Sequence, residues 1–76
     1  MIAGVLLKVG PGKVKSVLEA IRKIDKVKYA YGVFGRYDIV VMIEAENLDE
    51  LTKIIVENIG QIEGVISTET LIKADI

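Results

Sequence analysis

The chain contains no cysteine and no histidine. Without thiols there is no disulfide, no thiolate metal site and no cysteine nucleophile. Without imidazole, the commonest general base and metal ligand are missing too. Tryptophan is absent, and proline occurs once, at Pro11. The only aromatic residues, three Tyr and one Phe, all fall between Tyr29 and Tyr37. No apolar run approaches the roughly 18 residues of a membrane helix. Met1–Leu7 has no basic leader, and Lys8 ends its apolar stretch early, so a signal peptide is not expected. These absences weigh against catalysis. They lead to the expectation of a soluble, cytoplasmic chain without metal or cofactor.

What is present is aliphatic. Of 76 residues, 51% are hydrophobic, almost all Ile, Val, Leu and Ala. The length is that of one domain, residues 1–76, near the lower limit for folding without staples. So much aliphatic surface on so small a unit implies burial against a second copy. Many Lys, Glu and Ile with few amides point to a thermophilic source.

The net charge of −1 conceals an asymmetry. Lys8 to Arg36 holds eight Lys or Arg and two acids, whereas Asp38 to Asp75 holds two Lys and nine acids. Two neighbouring surfaces that complement each other, within or between subunits, account for this best. A nucleic-acid face on Lys13, Lys15, Arg22, Lys23, Lys26 and Lys28 is disfavoured, because the sequence pI of 5.3 is not that of a phosphate-binding domain. No direct nucleic-acid or membrane partner is expected.

The patterning gives six elements. Ala3–Val9 is a β-branched and aliphatic run too short for a helix. Gly10-Pro11-Gly12 breaks it, with Gly10 placed to cap a helix and Pro11 at its first position. Val14, Val17, Leu18, Ile21 and Ile24 then form one helical face. Val27–Phe34 and Tyr37–Ala45 read as strands joined by a two-residue type II′ turn at Gly35-Arg36. Asn47-Leu48-Asp49-Glu50 is a capping box. It opens a helix whose stripe is Leu48, Leu51, Ile55, Ile59 and Ile62, with Gly60 as breaker and Val56 off the stripe, a hint of an external contact. Gly64–Ala74 is the last strand. The order βαββαβ predicts an α+β, ferredoxin-like fold: a four-stranded antiparallel sheet, order 4-1-3-2, with two helices on one face. The first and third strands are apolar on both faces, as central strands should be. The open face needs a cover.

The hairpin Gly35-x-x-Asp38, the apolar strand after it, the capped helix, Gly64-Val65 and the Thr68-x-Thr70 strand together resemble a known family. It is the effector-binding, or regulation of amino acid metabolism, domain of leucine-responsive/AsnC-type regulators. The resemblance covers nearly the whole chain. It implies dimers of the dimeric α/β-barrel type formed through the sheets, higher rings, and amino-acid effectors between dimers. It also implies a partnership with full-length regulators of the same type. Those regulators carry an N-terminal helix-turn-helix, whereas this sequence opens directly in its first strand. The expectation is a stand-alone version without a DNA-binding domain.

The candidate effector-binding residues are Gly35, Arg36, Tyr37, Asp38, Thr68 and Thr70. Asp is depleted in strands, and Asp38 stands just before five apolar residues. It either fixes the hairpin through backbone N–H groups or meets the ammonium of an amino acid. Gly35 supplies positive φ and leaves the backbone accessible. Arg36 is a solvated turn residue or a carboxylate clamp. Tyr37 is a pocket wall or an amphipathic residue at the core's edge. Thr68 and Thr70 alternate on one face and can bond a ligand, though β-branched strand residues need no function. The aromatic cluster does not make an RNA platform, because strands one and three are aliphatic apart from Tyr37. The alternatives are a ligand-free, ACT-type dimerisation domain or a small dimeric α/β-barrel enzyme, the latter disfavoured by the missing His.

Overall fold

A computed structural model describes residues 1–76. The elements run β1 (Ile2–Val9), α1 (Val14–Arg22), β2 (Val27–Gly32), β3 (Ile39–Glu44), α2 (Leu48–Lys53) and β4 (Val65–Ile72). All neighbouring strands pair antiparallel in the order β2-β3-β1-β4, the predicted order read from the other edge. The central strands alternate cleanly. Ala3, Val5, Leu7 and Val9 of β1 and Ile39, Val41 and Ile43 of β3 are buried beneath the helices. Val17 and Ile21 of α1 and Leu51 of α2 close the core from above, and no polar side chain is buried in it.

Register fixes which side chains share the other face. Leu6 pairs with Val40, Met42 with Gly4, Tyr31 with Val40, Tyr29 with Met42, and Leu71 with Gly4. Directly paired residues point the same way, so these form one aliphatic and aromatic face with no layer over it. Tyr31 and Leu71 are each about half exposed there.

Two expectations for the connections need correction. Gly10 and Pro11 do not begin α1. They form a turn closed by Lys13 N–H donating to the Gly10 carbonyl at 3.0 Å, and the helix starts at Val14. Gly12, at φ +74°, ends that turn. The β2–β3 connection is not a two-residue turn. The last paired residues are Gly32 and Ile39, and the six residues between them form a loop closed by Val33 N–H to the Asp38 carbonyl at 2.9 Å. Tyr37 and Asp38 look like strand residues but lie outside the β2 ladder, which is why the sequence suggested a shorter connection. Gly35 does adopt positive φ, +139°, as expected.

The second helix also departs from a simple α-period. The predicted cap is present: Asn47 Oδ1 accepts from Glu50 N–H at 2.9 Å, and Glu50 Oε1 accepts from Glu46 N–H at 2.6 Å. After Lys53, however, the helix widens into a π turn, Ile54–Asn58, followed by a 3₁₀ turn, Ile59–Gln61. Ile59 N–H reaches the carbonyl of Ile54, five residues back. That ladder stacks Ile54 and Ile59 on one face, and both are buried. Leu48, expected in the stripe, is 57% exposed.

Candidate functional site

The Gly35–Asp38 segment is held from below by β1. The β1–β3 ladder ends where Leu7 meets Ile39, and Asp38 N–H still donates to the Leu7 carbonyl at 2.8 Å. Two residues along, Val9 N–H points to the same edge, where β3 no longer continues. The Asp38 carboxylate takes the place of the missing ladder acceptor: Oδ2 receives Val9 N–H at 2.9 Å. Lys8 Nζ adds a second tie by donating to the Arg36 carbonyl at 2.8 Å. The loop is therefore pinned through its backbone, while Oδ1 of Asp38 and the Arg36 guanidinium form no hydrogen bond or ion pair within the chain.

Tyr37 turns toward the open sheet face. Its hydroxyl donates to Glu69 Oε1 of β4. That hydrogen bond, then desolvation and the Glu69 charge, push the phenol above its usual range near 10, with Arg36 opposing. Glu69 pairs with Leu6, an open-face residue, whereas Thr68 pairs with Leu7 and Thr70 with Val5, both under the helices. Thr68 and Thr70 do share a face, as expected, but the opposite face from Tyr37 and Glu69. They also stand two strands from β3, roughly 10 Å across the sheet. One copy of the chain does not gather the six candidates into one cavity.

The larger concavities lie elsewhere. A charged cleft lies between Asp25, Lys26, Lys28, Glu44 and Glu46, with Lys28 and Glu44 paired at 3.1 Å. A groove of about 290 Å³ runs between α2 and β4, with Leu48, Leu51, Ile55, Val56 and Ile72 as apolar walls and Thr52 and Thr70 beside them. Sequence reading found Thr70 and the off-stripe Val56 separately. It missed that they face one another, because the π turn that brings Val56 round has no signature in composition. No three His, Cys, Asp or Glu side chains come together as a metal site. No helix is long and apolar enough to cross a membrane.

The three ion pairs of the chain, Lys13–Glu63, Lys26–Glu50 and Lys28–Glu44, each join a base from the first half to an acid from the second. The charge asymmetry is thus partly satisfied within the subunit.

The chain is thus a ferredoxin-like domain with one uncovered, largely apolar sheet face and a loop pinned to β1 at its edge. Residues 2–74 match the family model of the Lrp/AsnC ligand binding domain, and the chain belongs to that family. It is 38% identical over 72 residues to the HTH-type transcriptional regulator FL11 of Pyrococcus abyssi, covering 95% of this chain and 47% of that protein. The chain spans about half the length of the curated regulators it matches. Among solved structures, a Thermus thermophilus protein superposes with a TM-score of 0.90 at 33% identity, covering 96% of this chain and 94% of that one. A Neisseria meningitidis transcriptional regulator solved as a complex with L-Met superposes with a TM-score of 0.84 at 12% identity. It covers 99% of this chain and 51% of that one, and at that identity the likeness is one of fold. The relatives are named as transcriptional regulators, not as enzymes.

Proposed function

We propose that residues 1–76 act in the cytoplasm as an amino-acid-sensing and oligomerisation module in the regulation of transcription of amino-acid metabolism. The module contributes no DNA-reading element of its own. Both of its helices are packed on the sheet, so its output passes through assembly with itself or with a full-length regulator of the same family. The observation that carries this reading is the Gly35–Asp38 loop. Its backbone is fixed by β1, yet it presents an uncommitted guanidinium and an uncommitted carboxylate oxygen. An amino acid brings one anion and one cation to match them. Fixing the loop in advance lowers the ordering cost of binding.

The division of the candidates between two faces supports a site completed by a second copy, with Thr68 and Thr70 arriving from a neighbour. The same division favours, as a second reading, a ligand-free assembly domain. Calorimetric titration of the standard amino acids separates the two. Sensing requires at least one to bind, and Asp38→Asn, which retains an oxygen for Val9 but loses the charge, to weaken that binding about ten-fold or more. If no amino acid gives heat while the protein still assembles, the ligand-free reading replaces this one.

A further inference from the structure

Gly4 stands in the middle of the open sheet face, on the central strand β1, and a Cβ built there would have nothing within 4 Å. Its register neighbours on that face are Met42 of β3 on one side and Leu71 of β4 on the other. Ile2 and Leu6 flank it along β1, since every second strand residue shares a face. The missing side chain therefore leaves a pit in an aliphatic surface, walled by four apolar residues. Gly4 is not among the glycines with positive φ, so no backbone demand explains it. Met42, level with the pit and one strand away, is half-buried and is the most flexible apolar side chain of the face.

We propose that Met42 of each copy fills the Gly4 pit of the other when two open faces meet. A two-fold axis relating two facing sheets lies in the plane between them, and it runs either along the strands or across them. Along the strands, between β1 and β3, it sets β1 of one copy against β3 of the other and keeps every residue at its own height. The empty position then meets the longest apolar chain, and Leu6 meets Val40. Across the strands, the axis sets β1 on β1 and β3 on β3. That collects the glycines in one stack and crowds Met42 against Val40 or against itself in the other. Packing at interior density selects the first arrangement. The same axis sets β2 against β4, so Tyr31, paired with Val40, meets Glu69, paired with Leu6. Within the subunit the Glu69 carboxylate carries only the Tyr37 bond, on Oε1, so a second phenol from the other copy meets a free acceptor. The inference rests on the assembly part of the proposed function and is indifferent to amino-acid binding.

Two single variants of the full chain test the contact. Gly4→Leu fills the pit and Met42→Ala removes the knob. One adds a side chain in open space and the other shortens a half-buried one, so both should keep the circular dichroism of the parent. Each alone should dimerise at least ten-fold more weakly than the parent, the first from overpacking and the second from a void. Mixed in equal amounts they should choose each other, because one junction then joins the filled pit to the shortened knob and the other keeps the native pair. Native mass spectrometry of the mixture should show the heterodimer well above the half that random pairing gives. Random pairing overturns the proposal, and so does a Gly4→Leu protein that dimerises as tightly as the parent; in both cases assembly itself still stands. Should Gly4→Leu not fold, Gly4→Val mixed with Met42→Ala is read by the same rule. A monomeric parent overturns both this contact and the assembly reading.

Discussion

Asp38 illustrates what a single position discloses. A carboxylate at the mouth of an apolar strand marks a residue with a task, and that much was legible. Its partner was not, because Val9 lies 29 residues away and meets Asp38 only once β1 and β3 pair. Replacing Asp38 with Ala leaves the partly buried Val9 N–H without an acceptor, which costs about 1–3 kcal/mol. Asn, which keeps an acceptor, should cost less. Urea denaturation of the two variants measures the difference, and equal losses would show that the carboxylate does not replace the ladder. Tyr37 makes a second, independent prediction. Its phenol titrates above the usual value near 10 because the protonated form donates to Glu69. A group whose pKa is higher in the folded state contributes stability that is complete below the unfolded value and is lost as pH rises through the folded one. The contribution should therefore disappear only in strongly alkaline solution. NMR titration of the Tyr37 ring should show its midpoint fall toward 10 in Glu69→Gln. An unmoved midpoint would mean that the bond is not formed in solution.

At the scale of elements, periodicity served where the backbone is regular and failed where it is not. Helix α1 presents Val17 and Ile21 inward with Val14, Leu18 and Ile24 at their flanks, as its spacing predicts. Strands β1 and β3 alternate as central strands do. The hairpin was read too short, since nothing in Tyr37-Asp38 tells a strand end from a loop that shadows β1. The second helix was read as uniform, whereas its π turn stacks Ile54 and Ile59 on the buried face, and Leu48 in the first turn is exposed. The turn before β4 gives the sharpest prediction at this scale. Gly64 has φ +106°, and a Cβ there would lie 3.0 Å from Lys13 Cβ and 3.1 Å from Val17 Cγ2. Its carbonyl also accepts Gly10 N–H at 2.8 Å, so the turn cannot easily move away. Gly64→Ala should lose roughly 1–3 kcal/mol from backbone strain and overpacking. Gly12→Ala, with positive φ but open space around it, isolates the conformational part. If both variants lose the same amount, the close approach to α1 contributes nothing.

At the scale of the whole molecule, the open sheet face decides how the chain exists in solution. Its aliphatic excess was visible in composition, but only the register shows it gathered on one side, with Val40 and Met42 at the centre, Leu6 beside them, and Tyr31 and Leu71 toward the edges. Helices cover the other face, so folding alone leaves this surface wet. Ordinary stable interfaces bury about 800 Å² on each partner, which is the scale of one face of a small four-stranded sheet. Two such faces packed about a two-fold axis cover each other without exposing a new edge. The parent should therefore sediment as at least a dimer at micromolar concentration. Met42→Glu tests the face at its centre. Met42 is only half-buried in the isolated subunit, so an added carboxylate there can remain solvated and the fold should persist, with unchanged circular dichroism. Across a two-fold interface the same substitution brings a charge from each copy out of water and toward its like. Association should fall by at least ten-fold, equivalent to about 1.4 kcal/mol, and the cost of desolvating the carboxylates argues for more. A Met42→Glu protein that dimerises as tightly as the parent would move the interface elsewhere and leave the aliphatic face unexplained. A parent that is monomeric would remove the sheet-to-sheet contact and, with it, any ring built on such dimers.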